Sequence, residues 1–219
     1  LSSGGDGFPL IIAANKPEIL KQLIASGADV RNTKGVLEKA AFRKSVESIP
    51  ILIAAGAPVD GHPDDDYRPL YTAVRESAPE CISKLLSLGA DPNITVGEGS
   101  PFLLAAGKED PTMLKIMLDA VADVNLAPDG WTALMRASER SLVRNVKLLL
   151  DAGADVNLAH DGWTALMWAS KHNSVESVKL LLEKGANPHI VDEGGRTAME
   201  IASEKGHDDL VMLLLETMS

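Results

Sequence analysis

Residues 129–157 and residues 161–189 are two copies of one text. DGWTALMRASERSLVRNVKLLLDAGADVN is followed, at an offset of 32 residues and without a gap, by DGWTALMWASKHNSVESVKLLLEKGANPH, with 17 identities over 29 aligned positions. A unit this short has too little apolar surface to bury against itself, so neighbouring copies must stack to share a core. The period therefore overrides the one or two globular domains that a length of 219 residues suggests. It points to a solenoid, and it moves the search for function from a buried pocket to an extended surface.

The same frame runs along the rest of the chain. An apolar residue followed three positions later by Ala recurs at Leu10/Ala13, Leu37/Ala40, Leu70/Ala73, Phe102/Ala105, Leu134/Ala137, Leu166/Ala169 and Met199/Ala202. The spacings are 27, 33, 32, 32, 32 and 33. Seven units are expected, at about 8–34, 35–66, 67–98, 99–129, 130–161, 162–194 and 195–219, forming a single domain behind a Gly/Ser-rich tail over 1–7 that reads as disordered.

Each unit reads as two helices and a turn. Ser100, Thr132, Thr164 and Thr197 stand where a helix N-cap hydroxyl accepts a free backbone N–H. Pro9, Pro69 and Pro101 suit a first helical turn. A second helix follows with apolar residues at helical period, such as Val143, Val146, Leu149 and Leu150, and then Val175, Val178, Leu181 and Leu182. Gly153 and Gly185 supply its left-handed cap. The linking stretches, such as Asn157 to Gly162, carry turn chemistry and should form hairpin-like fingers.

Gly-Trp-Thr-Ala-Leu-Met-x-Ala-Ser, then Val-Lys-Leu-Leu-Leu-x-x-Gly-Ala-Asp-Val-Asn, resembles the ankyrin repeat, as does Gly206-His207 before Leu210-Val211. The resemblance spans about residues 8–217 and implies an all-α ankyrin-repeat α-solenoid of stacked helix-turn-helix units with β-hairpin fingers. Its usual Thr-Pro-Leu-His has no His here; Tyr71, Leu103, Met135 and Met167 take that position. The stretch from Val30 to Leu37 is too short for a full finger. Pro50 fits only the first turn of its helix. Val121 replaces a capping Gly, so that helix is expected to end differently, because a β-branched residue is strained in the left-handed region.

No constellation for catalysis is present: no phosphate loop, no GxSxG, no HExxH. The five histidines are scattered, and Asp64-Asp65-Asp66 lacks the alternating ligands of a Ca²⁺ loop and reads as a solvated fingertip. The chain is therefore expected to be non-enzymatic, with no cofactor and no metal. A net charge of −10 argues against nucleic acid as a partner and fits a soluble protein or a basic partner. Cys81, the one cysteine, lies in an apolar run and reads as core. No stretch is long and apolar enough to insert in a membrane. A soluble monomer is expected, with the compartment open between cytoplasm and, if a signal peptide has been removed, bacterial periplasm.

The resemblance implies that partners bind the concave side, lined by fingertips and by the ends of the first helices. On this chain the fingertip residues are Tyr67, Gly99, Trp131, Trp163 and Arg196, and the helix ends include Glu139-Arg140 and Lys171-His172. Between the two copies the frame is constant while Arg136/Trp168, Glu139/Lys171 and Arg140/His172 differ. That contrast suits a recognition surface and equally suits drift at exposed positions. Trp131 and Trp163 recur one unit apart, as binding hot spots or as stiffeners of their own fingers. Trp168 is expected to stack with Arg136. The partner-binding set is thus Tyr67, Trp131, Trp163, Arg196, Glu139, Arg140, Lys171, His172 and Trp168. The expected function is protein binding, in the manner of a stand-alone bacterial inhibitor or immunity protein that blocks a partner enzyme. The alternative is a targeting or scaffolding segment of a larger protein.

Overall fold

The computed structural model describes residues 7–62, 68–95, 97 and 99–218, the side chain of residue 218 excepted. The tail residues 1–6, the acidic run Asp64–Asp66 and Tyr67 lie outside the described residues. The described residues form two compact units. One runs up to Ala105 and includes Asp119–Ala122; the other comprises Ala106–Leu118 and the chain from Asp123 onward.

In the first unit α1 (Phe8–Ala13), α3 (Val36–Phe42) and α5 (Pro69–Arg75) pack on one another, and α2 (Pro17–Ala25), α4 (Ser48–Ala54) and α6 (Pro79–Ser87) form a second layer. After α7 (Pro101–Ala106) and α8 (Thr112–Asp119), the second unit repeats the scheme. There α9 (Ala133–Glu139), α11 (Ala165–Lys171) and α13 (Ala198–Glu204) stack, α10 (Val143–Asp151) packs on α12 (Val175–Glu183), and α14 (Asp208–Met218) packs on α13. In each unit the anchor residues carry the shared core: Leu70, Ala73, Leu134, Ala137, Leu166 and Ala169 are 0–1% exposed. An Ala at the contact lets two helix backbones approach closely, which accounts for its recurrence.

The anchor alanine has a second task. The backbone N–H five residues on donates to its carbonyl at 2.9–3.0 Å, as in Ala78 to Ala73, Leu142 to Ala137 and Ser174 to Ala169. The residue between, Ser77, Ser141 or Asn173, is left-handed. These first helices thus close with a Schellman motif, which turns the chain into the second helix. All four predicted N-caps form: Ser100, Thr132, Thr164 and Thr197 accept from the N–H three residues on. Thr197 adds a full capping box with Glu200. Pro50 sits in the first turn of α4.

Val121 departs from expectation. The chain after α8 turns as it does after α10, and Val121 takes the left-handed position at φ +60° that Gly153 takes at +87°. Val121 is 84% exposed, so it gains no packing in return. Val121→Gly is expected to stabilise the protein by about 1 kcal/mol, the left-handed penalty less the entropy of glycine. A thermal melt followed by helical circular dichroism checks this; an unchanged or lowered midpoint would refute the strain.

The fingers are less regular than expected. Among the described residues only β1 (Ala159–His160) and β2 (Trp163–Thr164) pair as strands, antiparallel, in the register His160 opposite Trp163. Asp161 and Gly162 between them both have positive φ, the type I′ geometry that Asp-Gly favours. Successive turns are tied by Asn side chains: Asn125 Oδ1 accepts from Asp155 N–H, and Asn157 Oδ1 from Asn187 N–H, both at 2.8 Å.

Candidate functional site

The N-caps at Thr132 and Thr164 fix where each finger enters its helix, so Trp131 and Trp163, one residue earlier, emerge in equivalent places. Trp168 projects from the first turns of α11 between them. Its ring centroid lies 5.0 Å from that of Trp131 and 4.6 Å from that of Trp163, in tilted contacts. Such pairs contribute roughly 0.5–1.5 kcal/mol each beyond burial. All three indoles are partly exposed. The chain's three tryptophans therefore form one continuous aromatic surface in the second unit.

Two cations lie on this surface. Lys171 Nζ is 4.7 Å from the Trp168 centroid and 5.3 Å from that of Trp163. Arg136 lies over Trp131 at 4.7 Å and is bonded to Glu139 at 2.9 Å. The expected pairing of Arg136 with Trp168 is thus corrected: Lys171, one turn along α11, reaches the Trp168 face, and Arg136 covers the indole of its own unit. His172 is exposed and stacks on Trp168 at 6.4 Å, and Arg140 is exposed with its side chain beside Gly107.

Arg196 comes to the same region but is already engaged. Its Nε and Nη2 donate to Asp192 Oδ2 at 3.0 and 2.7 Å, and its Nη1 donates to Glu204 at 3.0 Å. Asp192 is buried and also accepts the Gly194 and Arg196 N–H groups through Oδ1. The Arg196 side chain, followed by its backbone N–H, holds this carboxyl below the usual carboxylate range. Arg196 therefore shapes the finger rather than offering a free cation. A cleft of about 360 Å³ opens beside the indoles; Trp131, Trp163 and Trp168 wall it, and Asp161, Glu193 and Arg196 stand around it. Asp192, Glu193 and His160 belong to this cleft, and the sequence reading does not place them there. The Asp-Gly turn before Trp163 was the available signal for Asp161.

Cys81 is buried as expected, and burial pushes its thiol up to about 11. Among the described residues no group of three His, Cys, Asp or Glu side chains is placed to hold a metal ion. No helix there is long and apolar enough to cross a membrane.

The family model for ankyrin repeats (3 copies) matches residues 10–96, 97–160 and 146–219. The chain belongs to the ankyrin repeat family. Its fold class is the ankyrin α-solenoid, and ankyrin repeats generally serve as protein–protein interaction modules. The human ASB11 ankyrin repeat domain is similar, with 28% identity and a TM-score of 0.79 over 94% of this chain and 97% of that one. An ankyrin repeat domain from Acinetobacter baumannii AYE is 31% identical with a TM-score of 0.77, over 84% of this chain and 97% of that one. No curated protein matches the sequence. Trp131, Trp163 and Trp168 thus sit on the fingers and first helices of an ankyrin stack.

Proposed function

We propose that the second unit binds a partner protein through the face built from its fingers and first helices, the concave side of an ankyrin repeat, with the tryptophan cluster at the centre. One observation carries this reading: three partly exposed indoles joined through Trp168, beside a cleft whose rim holds Asp161 and Glu193. Aromatic anchors around a concave site are what interface hot spots are made of. The rim carboxylates and the overall charge of −10 favour a basic patch on the partner. Lys171 and His172 border the aromatic surface and set its outer polarity, with Glu139 and Arg140 at the equivalent positions one unit earlier.

In its finer form the reading is an inhibitor or immunity protein that occludes a partner enzyme, a role supported by likeness to stand-alone ankyrin chains. Adding the chain to the captured enzyme should then abolish turnover. The alternative is a targeting or scaffolding segment, for which a second binding surface would speak.

The direct test is affinity capture from source lysate with the wild-type chain and with Trp131→Ala, Trp163→Ala together. The double variant is expected to keep near-normal helical circular dichroism and to lose at least about 30-fold in partner affinity, corresponding to about 2 kcal/mol or more at a hot spot. Undiminished capture by the double variant would refute the tryptophan-centred surface.

A further inference from the structure

A second cleft, of about 340 Å³, lies on the other helix layer of the second unit, between α8 and α10. Pro111 and the half-buried Leu148 form its apolar floor, and Lys115, Arg144, Lys147 and Asp151 stand around it. Lys147 is paired with Asp151 at 2.9 Å, and Lys184 reaches the same carboxylate at 3.1 Å. Lys115 and Arg144 are exposed and have no carboxylate partner among the described residues. In a chain with 31 acidic and 21 basic residues, two unpaired cations converging on one apolar slot are a local reversal of charge. Each unpaired cation keeps its field available to an incoming anion, and an apolar floor rewards an apolar side chain between two carboxylates.

We infer that this cleft is a second protein-docking site, for an acidic segment of a partner in which carboxylates flank an apolar residue. The carboxylates would pair with Lys115 and Arg144, and the apolar side chain would rest on Leu148 and Pro111. Its charge preference is opposite to that of the indole cleft, so the two surfaces would select different partners, and a chain with both could bridge them.

The probe is a short fluorescent peptide of alternating Glu and Leu, titrated by anisotropy against the full chain at low and at raised salt. Saturable, salt-sensitive binding is expected. Lys115→Glu with Arg144→Glu should weaken it about tenfold or more, the loss of two ion pairs and their replacement by repulsion. Lys16→Glu with Lys179→Glu makes the same change in net charge at exposed sites elsewhere and should leave binding intact. The Trp131→Ala, Trp163→Ala protein should bind the peptide normally, which separates this site from the indole surface whatever becomes of that reading. Absence of saturable binding, equal loss in both charge-reversed proteins, or equal binding of a peptide of alternating Glu and Ser would overturn the assignment.

Discussion

Replacing Asn145 by Ala is expected to destabilise the second unit by about 3 kcal/mol, because two backbone carbonyls lose their donor together. Asn145 lies on α10, is 0% exposed, and donates through Nδ2 to Ala106 O at 2.9 Å and Lys108 O at 2.8 Å. Those carbonyls belong to the chain leaving α7. Each bond contributes about 1 kcal/mol net, but an orphaned buried acceptor costs more, roughly 1–3 kcal/mol. The three tryptophans all lie in this unit, so urea unfolding followed by indole fluorescence reads the effect where it occurs. Two comparisons separate the causes. Asn145→Leu fills a similar volume without a donor and should remain destabilised; recovery to wild-type stability would show that packing and not hydrogen bonding held the site. Ser177→Ala, at the equivalent position one unit on, removes only a contact with Ser174 at 2.8 Å and should cost about 1 kcal/mol.

Asn145 also marks where reading the sequence stops. The period identifies positions 81, 113, 145 and 177 as equivalent, occupied by Cys, Met, Asn and Ser on the inner side of the second helix. A polar amide in that series was a visible anomaly, but its partners lie 37 and 39 residues away, and nothing in the local pattern specifies them. Features of local origin were legible for the same reason in reverse. The caps at Thr132 and Thr164, the first-turn Pro50 and the Gly-terminated second helices depend on neighbours within about four residues. Side-chain reach was not legible. The period placed Arg136 and Trp168 in one register, and the stacking went to Trp131 and Lys171 instead, because a helical side chain covers the turn before its own Cα. Arg196 read only as a fingertip residue, and its ion pair was not legible, because Asp192, four residues earlier, shows no sign in sequence of being buried beneath it.

Gly162→Ala is expected to cost the second unit about 3 kcal/mol, from left-handed strain and steric overlap combined. Gly162 has φ +76°, and a Cβ there would lie 2.8 Å from Asp192 Cα and 3.1 Å from both Asp192 C and Glu193 N. These are backbone atoms, pinned by the Asp192 carboxylate, which binds Gly194 and Arg196 N–H groups and the Arg196 guanidinium. They cannot swing aside as the end of a flexible side chain would, so either the β1–β2 finger or the 192–196 finger must move. Both border the indole cleft, and the expected result includes a shift in tryptophan emission along with the lost stability. Gly185→Ala supplies the control: φ is +88°, yet nothing lies within 4 Å of the added Cβ, so strain alone should cost about 1 kcal/mol and leave the emission unchanged. Equal losses in the two variants would mean that the close approach of the fingers contributes nothing and that backbone conformation alone keeps glycine at position 162.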